Sequence, residues 1–281
     1  MDGEQSEQIA HITAVLADAG VESAAFDARM LVGAASTANA DAQLDDWVAK
    51  RAMRVPLQLL IGHTGFRMID VTCQPGVFIP RPETEILVGV VLDEIAEKQH
   101  PLVIEPCTGT GAISASLLAE HDTVEVVATD VNAKAVAVAR HNMHQVKAGM
   151  AGVPPRPDTA RAQVVCGALF EPVPSRFARQ TDVVVCNPPY LPEHMFATLP
   201  PEVHDHDPHA ALVGGEDGHE IVSQIFSEAP MWLCQGGLVA VEVDATRIDH
   251  ACELAQASGL HEVDTVPDLT GTHRFVIARC R

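Results

Sequence analysis

Two short stretches carry residue types and spacings that could do chemistry. Residues 186–193 read CNPPYLPE, and Tyr190 within them is the only tyrosine of the 281 residues. The apolar run from Asp182 to Cys186 ends directly against Asn187, Pro188 and Pro189. Proline lacks a backbone N–H and fixes φ. Two in succession leave rigid carbonyl oxygens with no neighbouring donors, and the Asn187 side-chain oxygen adds one more acceptor. Such a cluster suits the grip of an –NH₂ group, with Tyr190 as a flat wall beside a planar amide or base. A planar amide or aromatic amine is a weak nucleophile because its lone pair is delocalised. Accepting hydrogen bonds from its N–H groups turns the lone pair toward an electrophile and offsets the positive charge growing on nitrogen. That is what methyl transfer from a sulfonium requires, with positioning and electrostatics as the main source of rate and no metal or covalent intermediate.

The second stretch, IEPCTGTGAI (104–113), lies between a strand pattern and a helix pattern. Gly109 and Gly111 let a backbone turn sharply and approach a ligand, and the helix behind them presents free N–H groups. A nicotinamide-type fingerprint needs a third glycine, and Ser114 stands there instead. A lone Gly-x-Gly also occurs as a mere tight turn. The next strand pattern ends in Asp130, about 20 residues on, where a carboxylate can accept hydrogen bonds from both hydroxyls of a ribose. The other role open to Asp130 is to cap the helix that starts near Asn132. Together the two elements point to an adenosine-containing ligand.

These residues need a scaffold that brings strand ends to one edge. From Pro82 onward apolar runs alternate with helical patterns: strands at 102–106, 124–130, 162–166, 182–186 and 238–243, and helices at 83–98, 111–120, 132–146, 217–233 and 246–258. Near-continuous apolar strands separated by helices predict a parallel sheet covered on both faces. EVDTV and HRFVIAR predict a final antiparallel pair. The first 63 residues carry only helical spacing: Ile9, Ile12 and Leu16, then 24–35, 41–53 and a short piece between Pro56 and Gly62. Between them FRMIDVT and GVFIP predict a hairpin turning at Gln74-Pro75-Gly76. The expected organisation is a helical domain (1–63), a hairpin linker (64–81) and an α/β domain (82–281).

Composition narrows the function classes. The net charge of −20 argues against stable nucleic-acid binding through phosphate neutralisation. No apolar run reaches membrane-spanning length, and the acidic start is unlike a signal peptide, so a cytoplasmic protein is expected. The seven cysteines form no Cys-x-x-Cys pair, so they are expected as reduced, buried small hydrophobes, Cys166 and Cys186 among them. His204, His206 and His209 lie close in sequence, but their spacing matches no standard zinc pattern, and a solvated loop is expected with no metal. Glu216-Asp217 is expected to cap the helix at 217.

The order of motifs resembles the HemK/PrmC-type protein-(glutamine-N5) methyltransferases. LADAGVESAAFDARML is similar to that family's helical domain, PLQLLIGHTGF to its junction and GVFIPRPETEILV to the segment leading into its catalytic domain. The glycine turn, Asp130, NPPY, ALVGGEDG and LTGTHRFVIAR follow in matching order. NPPY alone is shared with adenine-N6 methyltransferases; PRPETE, NPPY and GGEDG together are more specific. The resemblance implies a class I, Rossmann-like fold with a mostly parallel seven-stranded sheet. It implies S-adenosylmethionine as methyl donor and the glutamine of a release factor's Gly-Gly-Gln loop as acceptor. By position, Glu105, Cys107, Thr108, Gly109, Thr110 and Gly111 would cradle the donor and Asp130 would hold its ribose. Ala168 and Leu169 would border the adenine, and Asn187 would lie beside both ligands. Asn187 and Pro188 would hold the acceptor amide with Pro189 and Tyr190 around it, and Pro80, Arg81 and Glu83 would help close the pocket. Arg81 and Glu83 could equally form a simple ion pair. The chain departs from the family where Glu105-Pro-Cys107 replaces Asp-x-Gly, Ala168 replaces an aspartate, Asp244 replaces a glycine, and the loop at 149–160 is longer. Two other readings stay open: an adenine-N6 methyltransferase, and a binding protein that kept the fold without catalysis.

Overall fold

The protein is described here from a computed structural model covering residues 3–38, 41–156 and 160–281. Four helices come first: α1 (Gly3–Asp18), α2 (Ala24–Ala38), α3 (Asp41–Ala52) and α4 (Leu57–Ile61). Their apolar faces meet in a core of their own, with Leu16, Leu31, Leu44, Trp47 and Leu57 buried together. Strands β1 (His63–Phe66) and β2 (Ile69–Thr72) then form an antiparallel hairpin.

That hairpin differs from expectation. It turns at Arg67-Met68, and the segment containing GVFIP pairs with no strand. Gln74-Pro75-Gly76 is still a turn, with Gly76 at φ +84° and Val77 N–H donating to the Gln74 carbonyl. The reason is burial. Phe66, Ile69 and Val71 insert into the main core. Asn142 then locks the end of β2 from both sides, accepting from Thr72 N–H and donating to its carbonyl.

The rest alternates strand and helix: α5 (Thr84–Ile95), β3 (Leu102–Glu105), α6 (Ala112–Glu120), β4 (Glu125–Asp130), α7 (Ala133–Ala148), β5 (Arg161–Cys166) and β6 (Thr181–Cys186). Two single-turn helices follow, α8 (Pro201–His204) and α9 (His209–Leu212), then α10 (Glu220–Trp232), β7 (Leu233–Glu242), α11 (Ile248–Ala257), β8 (His261–Pro267) and β9 (His273–Arg279). The seven-stranded sheet runs β5-β4-β3-β6-β7-β9-β8. Only β9 opposes its neighbours, and the other pairings are parallel. Side chains alternate across it as the strand period requires. Val103, Val126 and Val183 join α5, α6 and α7 on one face, and Ile104, Val127 and Val184 join α10 and α11 on the other. Fully burying each such side chain contributes about 1.5–3 kcal/mol, against roughly 0–1 kcal/mol for an exposed ion pair, so the two apolar layers fix the sheet. Strand order reverses between β3 and β6, which opens a crevice beyond their carboxyl ends.

One smaller expectation needs correction. Cys73, Cys186 and Cys280 are buried, but Cys107, Cys234 and Cys252 are half-buried and Cys166 is exposed, because β5 is an edge strand. No helix of the described residues is long and apolar enough to cross a membrane.

Candidate active site

The crevice holds a cavity of about 230 Å³, walled by Phe66, Phe78, Pro80, Ile113, Leu169 and Ile221 and edged by polar groups from three strand ends. On one side is the turn after β3. Thr108 N–H donates to the Thr129 carbonyl and Gly111 N–H to the Thr108 carbonyl, which closes the turn onto β4. Asp130 accepts from Gly109 N–H at 2.9 Å and from Asn132 N–H at 2.8 Å. Asn132 itself caps α7, accepting from Lys134 N–H, so Asp130 is not that cap. Burial raises the Asp130 pKa, against the pull of the two backbone donors.

Glu105, at the end of β3, is 2% exposed yet lines the cavity. It accepts from Ser114 N–H at 3.1 Å and from the Ser114 hydroxyl. Burial outweighs these bonds and pushes its carboxyl up to about 8. Thr108 Oγ1 neighbours this carboxyl and favours its charged form, but no hydrogen bond of good geometry reaches that buried oxygen. A polar atom left without a partner in a cavity wall is costly unless a ligand completes it.

On the other side Asn187 follows the end of β6. Its Nδ2 donates to Thr84 Oγ1 at 3.0 Å, the Thr84 hydroxyl is 2.7 Å from Glu242 Oε2, and the Tyr190 hydroxyl donates to Glu242 Oε1 at 3.3 Å. The loop after α9 packs on this corner. A Cβ on Gly214 would lie 2.3 Å from the Pro189 carbonyl oxygen, and one on Gly218 would lie 2.3 Å from that of Tyr190. Only glycine permits these two approaches, which accounts for GGEDG following NPPY.

The chain is similar to known methyltransferases. The methyltransferase small domain family matches residues 68–198. A release factor glutamine methyltransferase of Mycobacterium tuberculosis is 37% identical over 94% of this chain and 88% of its own. One from Deinococcus radiodurans is 37% identical over 95% of each. The chain belongs to the release factor glutamine methyltransferase family. The hMettl16 catalytic domain, solved with a MAT2A 3'UTR hairpin, shares the fold at a TM-score of 0.60 and 18% identity, over 84% of this chain and 82% of that one. The protein is thus a methyltransferase of class I fold.

Within this family member the residues singled out from sequence divide in two. Glu105, Cys107, Thr108, Gly109, Thr110, Asp130, Ala168, Leu169, Asn187, Pro189 and Pro80 line the cavity. Gly111, Pro188, Tyr190, Arg81 and Glu83 lie outside its lining. Gly111 faces Ala139, where a Cβ would come within 2.9 Å. Pro188 is buried and Glu83 is exposed. Tyr190 is drawn back by Glu242 and packs on the apolar layer under the sheet, so its ring is not the wall expected for a planar acceptor. Arg81 pairs with Asp207, not Glu83, and lies 5.0 Å above the ring of Phe78, which does form wall. Glu216-Asp217 caps nothing. The helix starts at Glu220, whose carboxylate accepts from Glu216 N–H. His204 and His209 flank the Phe196 ring and pair with Asp205 and Glu193.

Thr84 and Glu242 were missed. A glutamate inside the apolar run LVAVEV was the available signal, because a buried carboxylate needs partners.

Proposed function

We propose that the chain transfers a methyl group from S-adenosylmethionine to the side-chain amide nitrogen of a glutamine, in the Gly-Gly-Gln loop of a peptide chain release factor. The observation that carries this reading is Asn187. Its Nδ2 is committed to Thr84, so the polar atom it has left for the cavity is an acceptor, as an N–H-bearing acceptor group requires.

S-adenosylmethionine fits the residues present. Thr108 Oγ1 is a buried oxygen lacking a partner. Asp130 uses one hydrogen bond on each oxygen and keeps acceptor capacity for a ribose diol. Glu105 offers a carboxyl to a cationic group, and Ala168 and Leu169 offer apolar surface to a base. When bound, the cofactor supplies an electrophilic methyl on a sulfonium sulfur. The chain's own part is to hold the acceptor nitrogen still, with Asn187 Oδ1 accepting one of its hydrogens, and to exclude water with Phe78, Pro80 and Ile221. The helices of residues 1–63 serve as the docking domain for the protein acceptor, and the reaction takes place in the cytoplasm.

The test is transfer of labelled methyl from S-adenosylmethionine to a release factor and, in parallel, to duplex DNA. Label on the release factor alone is the expected result, and label on DNA alone would overturn it. Asn187→Ala should lose about 100- to 1000-fold in kcat with cofactor binding retained. Turnover within a few-fold of wild type would remove Asn187 from the role given to it. A protein that gives no heat with millimolar cofactor would be a binding protein instead.

A further inference from the structure

Which end of the Asn187 carboxamide faces the cavity decides what the site can bind. Oxygen toward the cavity accepts from an N–H donor; nitrogen toward it would favour a carbonyl or carboxylate. The groups joined to the Asn187 amide determine the answer: Thr84, itself in the cavity wall, and Glu242 behind it. Thr84, at the start of α5, is 4% exposed and has a single hydroxyl hydrogen. Glu242, at the end of β7, is 3% exposed, and its Oε2 lies 2.7 Å from that hydroxyl. An ionised carboxylate only accepts, so the Thr84 hydrogen points to Glu242 and the Thr84 oxygen is left as an acceptor. The Asn187 atom 3.0 Å from it must then be the nitrogen. The reversed amide would set two lone pairs against each other.

The ionised carboxylate that this role requires is fully formed only above about pH 7. Burial raises its pKa to about 7, while the hydroxyls of Thr84 and Tyr190 and the charge of Arg274 favour its ionised form and Glu83 opposes it. Tyr190 is thereby part of the support behind the site, since its hydroxyl donates to the other carboxylate oxygen. The same carboxylate ties three separate elements together: the start of α5, the turn after β6 and the end of β7.

We propose that Thr84 and Glu242 are positioning residues that orient the Asn187 carboxamide with its oxygen toward the cavity, making the site selective for a planar acceptor that carries N–H. The proposal deepens the function given above and rests on Asn187 being the group that meets the acceptor.

The test compares Thr84→Val, Thr84→Ser, Glu242→Gln, the Thr84→Val/Glu242→Gln double variant and Asn187→Ala in the full chain. Release factor and S-adenosylmethionine are the substrates, and cofactor Kd by calorimetry serves as the check on folding. Valine keeps the shape of threonine but lets the amide turn. Thr84→Val should lower kcat about 10- to 100-fold and leave cofactor Kd and acceptor KM within about twofold. Thr84→Ser, which restores the hydroxyl, should recover kcat to within about threefold of wild type. Because both residues act through one bond chain, the double variant should be no worse than Thr84→Val by more than about twofold. Thr84→Val at wild-type kcat, a serine variant no better than valine, or fully multiplicative losses would each overturn the proposal. If Asn187→Ala is inactive while Thr84→Val is not, only the positioning role fails. If Asn187→Ala is active, Asn187 is not the group that meets the acceptor and the positioning role falls with it; the underlying function fails only if wild type transfers no methyl to the release factor.

Discussion

On the glycine-turn side of the cleft, Glu105 and Ser114 stand 9 residues apart, and Asp130 and Gly109 stand 21 apart. On the Asn-Pro-Pro side, Thr84 reaches Glu242 across 158 residues, and Asn187 reaches Thr84 across 103. The first side is one strand–helix–strand unit at the centre of the sheet. The second exists only once α5, β6, β7 and the loop at 191–218 have come together. Each side has a buried carboxyl raised by burial, Glu105 to about 8 and Glu242 to about 7. They differ in what they face. Glu105 lines the cavity, whereas Glu242 lies behind it and touches only protein hydroxyls. A buried carboxyl aimed into a cavity is available to a cationic ligand, and one aimed at hydroxyls is scaffolding. Cofactor affinity should therefore answer to the local side and transfer to the long-range side.

Exchanging the two carboxyls for amides is the sharpest way to break that division. Glu105→Gln should weaken S-adenosylmethionine binding about 10- to 100-fold, the value of one hydrogen bond to a charged group, while Glu242→Gln leaves it nearly unchanged. The sign with pH follows. A cation in the cavity favours the Glu105 carboxylate and lowers its pKa from about 8, so binding below that pH releases a proton. Affinity should be flat above about pH 8 and fall by up to roughly tenfold per unit below it, until the bound-state pKa is reached. Titration calorimetry across that range would check it. A wild-type affinity indifferent to pH, or as pH-dependent in Glu105→Gln as in wild type, would dissolve the distinction between the two carboxyls.

A middle-sized effect is expected where the long-range side is tied to the helices of the first 61 residues. Arg51 of α3 and Arg54 in the turn just after it both donate to Glu202 of α8, at 3.0 and 2.6 Å, and buried Arg51 also holds Asp27. Asp207, a little further along, receives Arg81 and the Ile79 N–H. The segment they anchor lends Pro208, Ala210 and Ala211 to the cavity. Burial alone would raise the Glu202 pKa, but the hydrogen bonds from Arg54 and Arg51 overcome it and hold the carboxyl at about 2. Its contribution to stability is thus complete above its ordinary value of 4.5 and lost as pH falls toward about 2. Glu202→Ala should lower Tm by a few degrees at neutral pH, at about 2–4 °C per kcal/mol for a chain of this size, with the gap to wild type narrowing below pH 4.5. Acceptor KM should rise several-fold and cofactor Kd stay within about twofold. A larger change in cofactor Kd than in acceptor KM would mean that the tie serves the wrong side.

The same contrast explains what the sequence made legible. The turn after β3, Asp130 and the corner after β6 declared themselves because their geometry is local: a glycine pair, a carboxylate one strand later, two prolines after an apolar run. Thr84 did not, because it looks ordinary among its neighbours, and Glu242, though conspicuous in an apolar run, acquires its role only across 158 residues. Tyr190 was noticed for being unique, but the direction of its hydroxyl is set by Glu242, another long-range partner. The hairpin was placed too late in the chain because the turn residues of Gln74-Pro75-Gly76 are conspicuous. Burial of Phe66, Ile69 and Val71, which decides the pairing, is a property of the assembled core.

The smallest effect belongs to the most local residue. Cys107 stands where the family's turn has glycine, and its backbone keeps a left-handed conformation, φ +56°. A Cβ in that region costs about 1–2 kcal/mol, while glycine gives back roughly 0.5–1 kcal/mol through its freer unfolded chain. Cys107 also packs against the apolar layer beside Cys186, and that contact would go. Cys107→Gly should therefore shift stability by less than about 1 kcal/mol, read as a small change in urea midpoint at constant slope. Cofactor affinity should hold, because the bonds that shape the turn, Gly109 to Asp130 and Thr108 to Thr129, do not involve the thiol. A loss of several-fold in affinity would show that the side chain itself, and not the backbone it sits on, completes the local side of the cleft.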